Sequence, residues 1–76
     1  MKVFDKVKDY ILQQLPIDEA KITMDAKLVD DLGADSANLM MLIMDLETEF
    51  DLTVEDEALT TIKTVGDIVN YIESHS

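Results

Sequence analysis

Ser36 is the only serine in residues 33–50, GADSANLMMLIMDLETEF, and it stands where a glycine-containing turn meets a long apolar run. A serine at a helix start ordinarily serves as an N-cap, its oxygen satisfying an amide that the helix leaves unpaired. The same place suits a phosphodiester, because free amides and the positive end of the helix dipole face outward there. Gly33 and Ala34 leave the approach to the hydroxyl uncrowded. Asp35 beside it is either a solvated loop acid or a carboxylate offered to a metal ion or a basic partner.

Little else in the chain has the composition of a catalytic centre. Cysteine is absent and the one histidine, His75, is penultimate, which argues against a thiolate nucleophile, a disulfide framework, a self-contained triad and a multi-histidine zinc site. Glu47 and Glu49 lie on one expected helix but are two residues apart, so they point to different faces and make a poor carboxylate pair. The acidic stretch DAKLVDDLGADS lacks the alternating ligands and the closing glutamate of an EF-hand loop. No metal site is expected. A divalent-ion-binding protein stays open as a rival that a calcium titration tests.

Charge narrows the partners. The net charge is −11, and between Leu28 and Ile62 ten acids occur without a single base. Nucleic acid and anionic membranes are disfavoured, whereas a basic protein surface would be attracted. The acidity also serves solubility. With no leader segment and no apolar run of membrane length, a soluble cytoplasmic protein is the expectation.

At 76 residues the chain has room for one modest core, hence a single domain spanning 1–76. Val3, Phe4, Val7, Tyr10, Ile11 and Leu15 recur at helical spacing over residues 2–15, and Pro16 should end that helix. Residues 17–35 read as a long loop pinned by Ile17, Ile22, Leu28 and Leu32, of the kind that is functional or hides a short helical turn.

A second helix should run from about Ser36 to Phe50 with two apolar stripes. Leu39, Leu42, Ile43, Leu46 and Phe50 form the one expected to be core, and Ala37, Met40, Met41 and Met44 form the other. A bundle this small can hardly bury both. Methionine fills cores, but it also makes adaptable binding surfaces, so the second stripe is a candidate docking face. Residues 56–61 suit one short helical turn. Thr64-Val65-Gly66-Asp67 resembles a capping box with Asp in place of Glu, opening a last helix through Ile68, Val69 and Ile72. The only alternating run, 51–54, is short. An all-α bundle of three main helices plus one short helix follows.

The run DLGADS leading into LETEFDLTVEDEALTTIKTVGDIVNYI closely resembles acyl carrier proteins of the bacterial, dissociated fatty acid synthesis type, over essentially the whole chain. The resemblance implies that a phosphopantetheinyl transferase attaches 4′-phosphopantetheine from coenzyme A to Ser36, and that Asp35 supports modification and docking. It implies a carrier and not an enzyme, with acyl intermediates held as thioesters on the arm, so the protein needs no thiol of its own. The helix after the serine would be the recognition helix, placing Ala37, Met40, Met41, Met44, Glu47 and Glu49 against basic patches of fatty acid synthesis enzymes. Leu46, Phe50, Ile62 and Ile68 would line an acyl cavity by analogy, in a monomeric protein.

Three positions depart from the family pattern. Ala37 replaces the usual leucine, Asn38 a common acid, and Met41 a common glutamate. A docking face oilier than the family norm leaves room for a specialised carrier, serving a polyketide synthase, a peptide synthetase or D-alanine transfer. The rival from another class is an acidic protein-interaction module that is never modified.

Overall fold

Four helices and one short 3-10 turn make up the computed structural model, which describes residues 2–75. In chain order they are α1 (Val3–Gln14), the 3-10 turn Glu19–Lys21, α2 (Ser36–Phe50), α3 (Asp56–Leu59) and α4 (Val65–His75). The architecture is the expected one of three main helices and one short one. Leu15 takes extended geometry before Pro16 and thereby ends α1. Residues 51–54 form no strand; Asp51 adopts a left-handed conformation (φ 53°) as the C-cap of α2, and the backbone turns there.

Helix α1 packs against both α2 and α4. Val7 and Ile11 supply its buried face, Leu42, Ile43 and Leu46 that of α2, and Val65, Ile68, Val69 and Ile72 that of α4. The core stripe expected along α2 is therefore right in its middle and half-exposed at its ends, where Leu39 and Phe50 are only partly covered. Polar contacts trim the α1–α2 seam, since the Tyr10 hydroxyl donates to Glu49 Oε1 at 2.6 Å and Lys6 approaches Glu49 at 3.7 Å.

The long loop is held at two levels. Its apolar side chains Ile22, Ala26, Leu28, Leu32 and Ala34 enter the core, and it does contain a short helical turn. Its backbone also caps α4, because the amides of Val65 and Gly66 donate to the carbonyls of Ala26 (3.0 Å) and Met24 (2.8 Å). Those amides have no partner within their own helix, so the loop satisfies them. The close approach explains Gly66, where an added Cβ would meet the Met24 carbonyl oxygen at 2.8 Å. On the same end Thr64 and Asp67 form the expected capping box: Asp67 N–H donates to Thr64 Oγ1, and Thr64 N–H to Asp67 Oδ2, both at 3.1 Å.

Candidate functional site: the first turn of α2

The start of α2 is built by its neighbours rather than by the serine. Asp35, not Ser36, is the N-cap: its Oδ1 accepts from the Asn38 amide at 2.8 Å, and Asn38 Oδ1 accepts from the Asp35 amide at 3.2 Å. The ordinary capping role of a serine at a helix start is thus filled one residue earlier and not by Ser36. An aspartate one residue earlier, in extended geometry, reaches the third helical amide, leaving Ser36 as the first helical residue. Asn38, noted only as a departure from a family pattern, is the other half of this cap. The signal was Asp-x-x-Asn, a variant of the usual Ser/Thr-x-x-Glu.

This arrangement frees the serine. Ser36 is exposed, and its hydroxyl makes no hydrogen bond among the described residues. The amides of Ser36 and Ala37 likewise find no acceptor among the described residues, whereas those of Asp35 and Asn38 are taken by the cap. Upstream, Gly33 has φ +75°, a left-handed geometry that glycine adopts without strain, and it turns the chain into the helix. Leu28, Leu32 and Ala34 anchor that turn in the core, and the Ala34 amide donates to the Leu28 carbonyl at 2.9 Å.

Ser36 also borders an apolar pocket of about 180 Å³, walled by Leu39, Met40, Ile43, Leu59 and Ile62. Of the four residues expected to line an acyl cavity, Ile62 lines this pocket. Leu46 and Ile68 are outside its lining and sealed in the core at 1% exposure, and Phe50 lies nearly four helical turns from Ser36 along α2. Leu39, Ile43 and Leu59 wall it with Ile62, where α2 and the α3 region face each other beside the serine. Periodicity marks a stripe as apolar without saying which part of it is left unfilled.

The second stripe of α2 faces outward. Met40, Met41 and Met44 are 52, 58 and 60% exposed, and Ala37 is exposed beside them. Glu47 and Glu49 are not free in the same way. Glu47 is half-buried and its Oε2 accepts from the Val54 amide at 2.7 Å, fixing the segment after α2. Glu49 points to α1, where the Tyr10 hydroxyl, together with Lys6, holds its carboxyl below the usual carboxylate range. Among the described residues no cluster of three His, Asp or Glu side chains is placed to hold a metal ion.

An exposed, unbonded serine hydroxyl with open first-turn amides beside an apolar pocket fits a phosphate-linked arm that ends in an apolar cargo. The family model for the phosphopantetheine attachment site matches residues 5–72. The chain belongs to the acyl carrier protein family. It is 54% identical over 72 residues to the acyl carrier protein of Thermotoga maritima, a match covering 95% of this chain and 89% of that one. To the acyl carrier protein of Clostridium acetobutylicum it is 51% identical over 74 residues, covering 97% and 96% of the two chains. Among solved structures, an acyl carrier protein from Enterococcus faecalis superposes with a TM-score of 0.85 at 37% identity, all of both chains being covered. The cofactor of this acyl carrier protein is 4′-phosphopantetheine.

Proposed function

We propose that Ser36 carries the phosphopantetheine arm and that the whole chain, 1–76, works as one monomeric carrier domain. Through it, acyl intermediates would be presented to the enzymes of fatty acid synthesis in the cytoplasm. The observation that carries the reading is the position of Ser36: first residue of α2, exposed, relieved of capping by Asp35 and Asn38, and bordering the apolar pocket. When bound, the arm supplies a terminal thiol on which acyl groups are held as thioesters. The chain's own residues do no bond-making beyond offering the Ser36 hydroxyl. Asp35 sets the conformation of the turn that a transferase must grip, and the open amides of Ser36 and Ala37 favour the phosphate.

The exposed faces of Ala37, Met40, Met41 and Met44 support a docking surface that is apolar at its centre. The surrounding acids support a basic rim on the partner. Glu47 and Glu49 contribute to that field from positions where each also holds the fold together.

Incubation with coenzyme A and a broad-specificity phosphopantetheinyl transferase tests the reading by intact mass. The native chain should gain one phosphopantetheine and Ser36→Ala none. An unchanged native mass under conditions that convert another carrier, or conversion of Ser36→Ala, overturns it.

A further inference from the structure

We propose that Met40, Met41 and Met44 form an oxidation site, at which a peroxide converts exposed thioethers to sulfoxides and thereby weakens enzyme docking without unfolding the domain. This rests on the docking surface proposed above. All four methionines among the described residues stand at the surface, Met24 at 42% exposure and the three on α2 at 52, 58 and 60%, and the buried core contains none. With Val29 they make up the exposed large apolar side chains of the described residues. That distribution reverses the usual one, in which methionine fills irregular gaps in a core.

Position concentrates the effect on one face. Met44 follows Met40 by four residues and Met41 by three, so the three sulfurs are neighbours on the surface of α2. Met40 also walls the pocket that Ser36 borders. Cysteine is absent, so thioethers are the only sulfur that the polypeptide presents to an oxidant. When the arm is acylated its thiol is tied up as a thioester and does not compete.

The step balances with hydrogen peroxide as the oxidant. A thioether lone pair attacks one peroxide oxygen, the S–O bond forms as the O–O bond breaks, and the departing hydroxide takes the proton of the transferred oxygen to leave as water. Sulfur is oxidised by two electrons and the peroxide is reduced by two. The change is reversible, because a dithiol reductase removes the oxygen as water and is left as a disulfide. In the free protein the new S=O group stays hydrated and the fold is spared. In an apolar contact it must give up that water without a partner, which costs binding. The acids around the face are untouched, so the long-range attraction of a basic partner survives while close docking is lost.

The test oxidises the apo chain with hydrogen peroxide, before any arm thiol is present, and removes the peroxide with catalase. Octanoyl-phosphopantetheine is then loaded from octanoyl-coenzyme A by an excess of broad-specificity transferase. Intact mass counts the added oxygens and the arm, and peptide mapping locates the oxygens. Transfer of octanoyl to an acyl-processing enzyme of fatty acid synthesis is measured for each protein against its own untreated form. In the native chain Met40, Met41 and Met44 should gain oxygen, and kcat/KM should fall roughly tenfold, as for one polar group desolvated without a partner. The thermal melt should be retained. Met24→Leu should lose as much of its rate as the native chain, whereas Met40→Leu/Met41→Leu/Met44→Leu should keep its own untreated rate. Methionine sulfoxide reductases for both epimers, applied with a dithiol to the oxidised apo chain before loading, should restore mass and rate. An unchanged rate in the oxidised native chain, an equal loss in the triple variant, or a collapse of the melt on oxidation overturns the oxidation site. Met44→Glu, assayed untreated, reads the docking surface separately. If it transfers octanoyl as fast as the native chain, the docking surface falls and the oxidation site with it; a slow Met44→Glu beside an unaffected oxidised native chain removes the oxidation site alone.

Discussion

Asp35 and Asn38 close the first turn of α2 between them, and Ser36 sits inside that turn without contributing to it. Stability and modification are therefore assigned to adjacent residues, and substitution can separate them. Asp35→Ala should cost about 1 kcal/mol, the usual loss for removing an N-cap, read from urea unfolding. Ser36→Ala should change stability by no more than about 0.5 kcal/mol, as for a surface side chain that bonds nothing. If Ser36→Ala proves the more damaging of the two, the serine is the cap after all. Asp67 has a comparable capping role at α4. Its carboxyl lies below the usual value of 3.8, chiefly because the Lys63 amide donates to it, with the Thr64 amide and hydroxyl assisting. A lowered folded value means stabilisation that is complete at neutral pH and lost as pH falls through that value. The melting temperature of the native chain should therefore exceed that of Asp67→Asn at pH 7, with the gap narrowing as pH falls from the ordinary aspartate value through the lower folded one and the carboxyl takes up its proton. A gap that is constant across this range would show that charge has no part in the cap.

At the scale of the element, α2 has two apolar faces with different duties. Leu46 is 1% exposed among core side chains, so Leu46→Ala should destabilise the fold by roughly 2–5 kcal/mol. Met44 is 60% exposed, and a carboxylate there would remain in water, so Met44→Glu should leave the thermal melt close to that of the native chain. It should nevertheless weaken acyl transfer to a partner enzyme, which would have to desolvate the new charge. Thermal melts of both variants, run beside a transfer assay, check this. Unfolding by Met44→Glu as severe as that by Leu46→Ala would return the methionine stripe to the core.

For the molecule as a whole, the decisive quantity is the charge of −11 carried by 76 residues. Ten acids between Leu28 and Ile62, without a base among them, repel one another more strongly when folded than when the chain expands. Added sodium chloride or magnesium should raise the melting temperature by screening or binding those charges. A melting temperature that stays flat or falls from low to physiological salt refutes this account. Two internal contacts moderate the repulsion locally, Lys8 with Glu19 at 2.8 Å and Lys6 with Glu49 at 3.7 Å, but both are at the surface and each is worth little.

The helices, the Pro16 stop, the Thr64–Asp67 cap and the candidacy of Ser36 were all readable in the sequence, because each depends on residues a few positions apart. Local spacing and capping chemistry suffice for such features. The division of α2 into a buried and an exposed stripe was readable as well, since a helix repeats its faces every few residues. What the chain order could not reveal was where the core leaves space. Leu46 and Ile68 share the apolar character of Leu39, Ile43 and Leu59, yet the first two are sealed and the other three wall the pocket beside Ser36. That difference is decided by how α2 and the α3 region meet across many intervening residues. The same holds for Lys27 and Lys63, which only the pairing of the long loop with the start of α4 brings to one groove. Glu49 is a third case: its spacing marks a surface acid, and the packing of α1 on α2 turns it toward Tyr10 and Lys6.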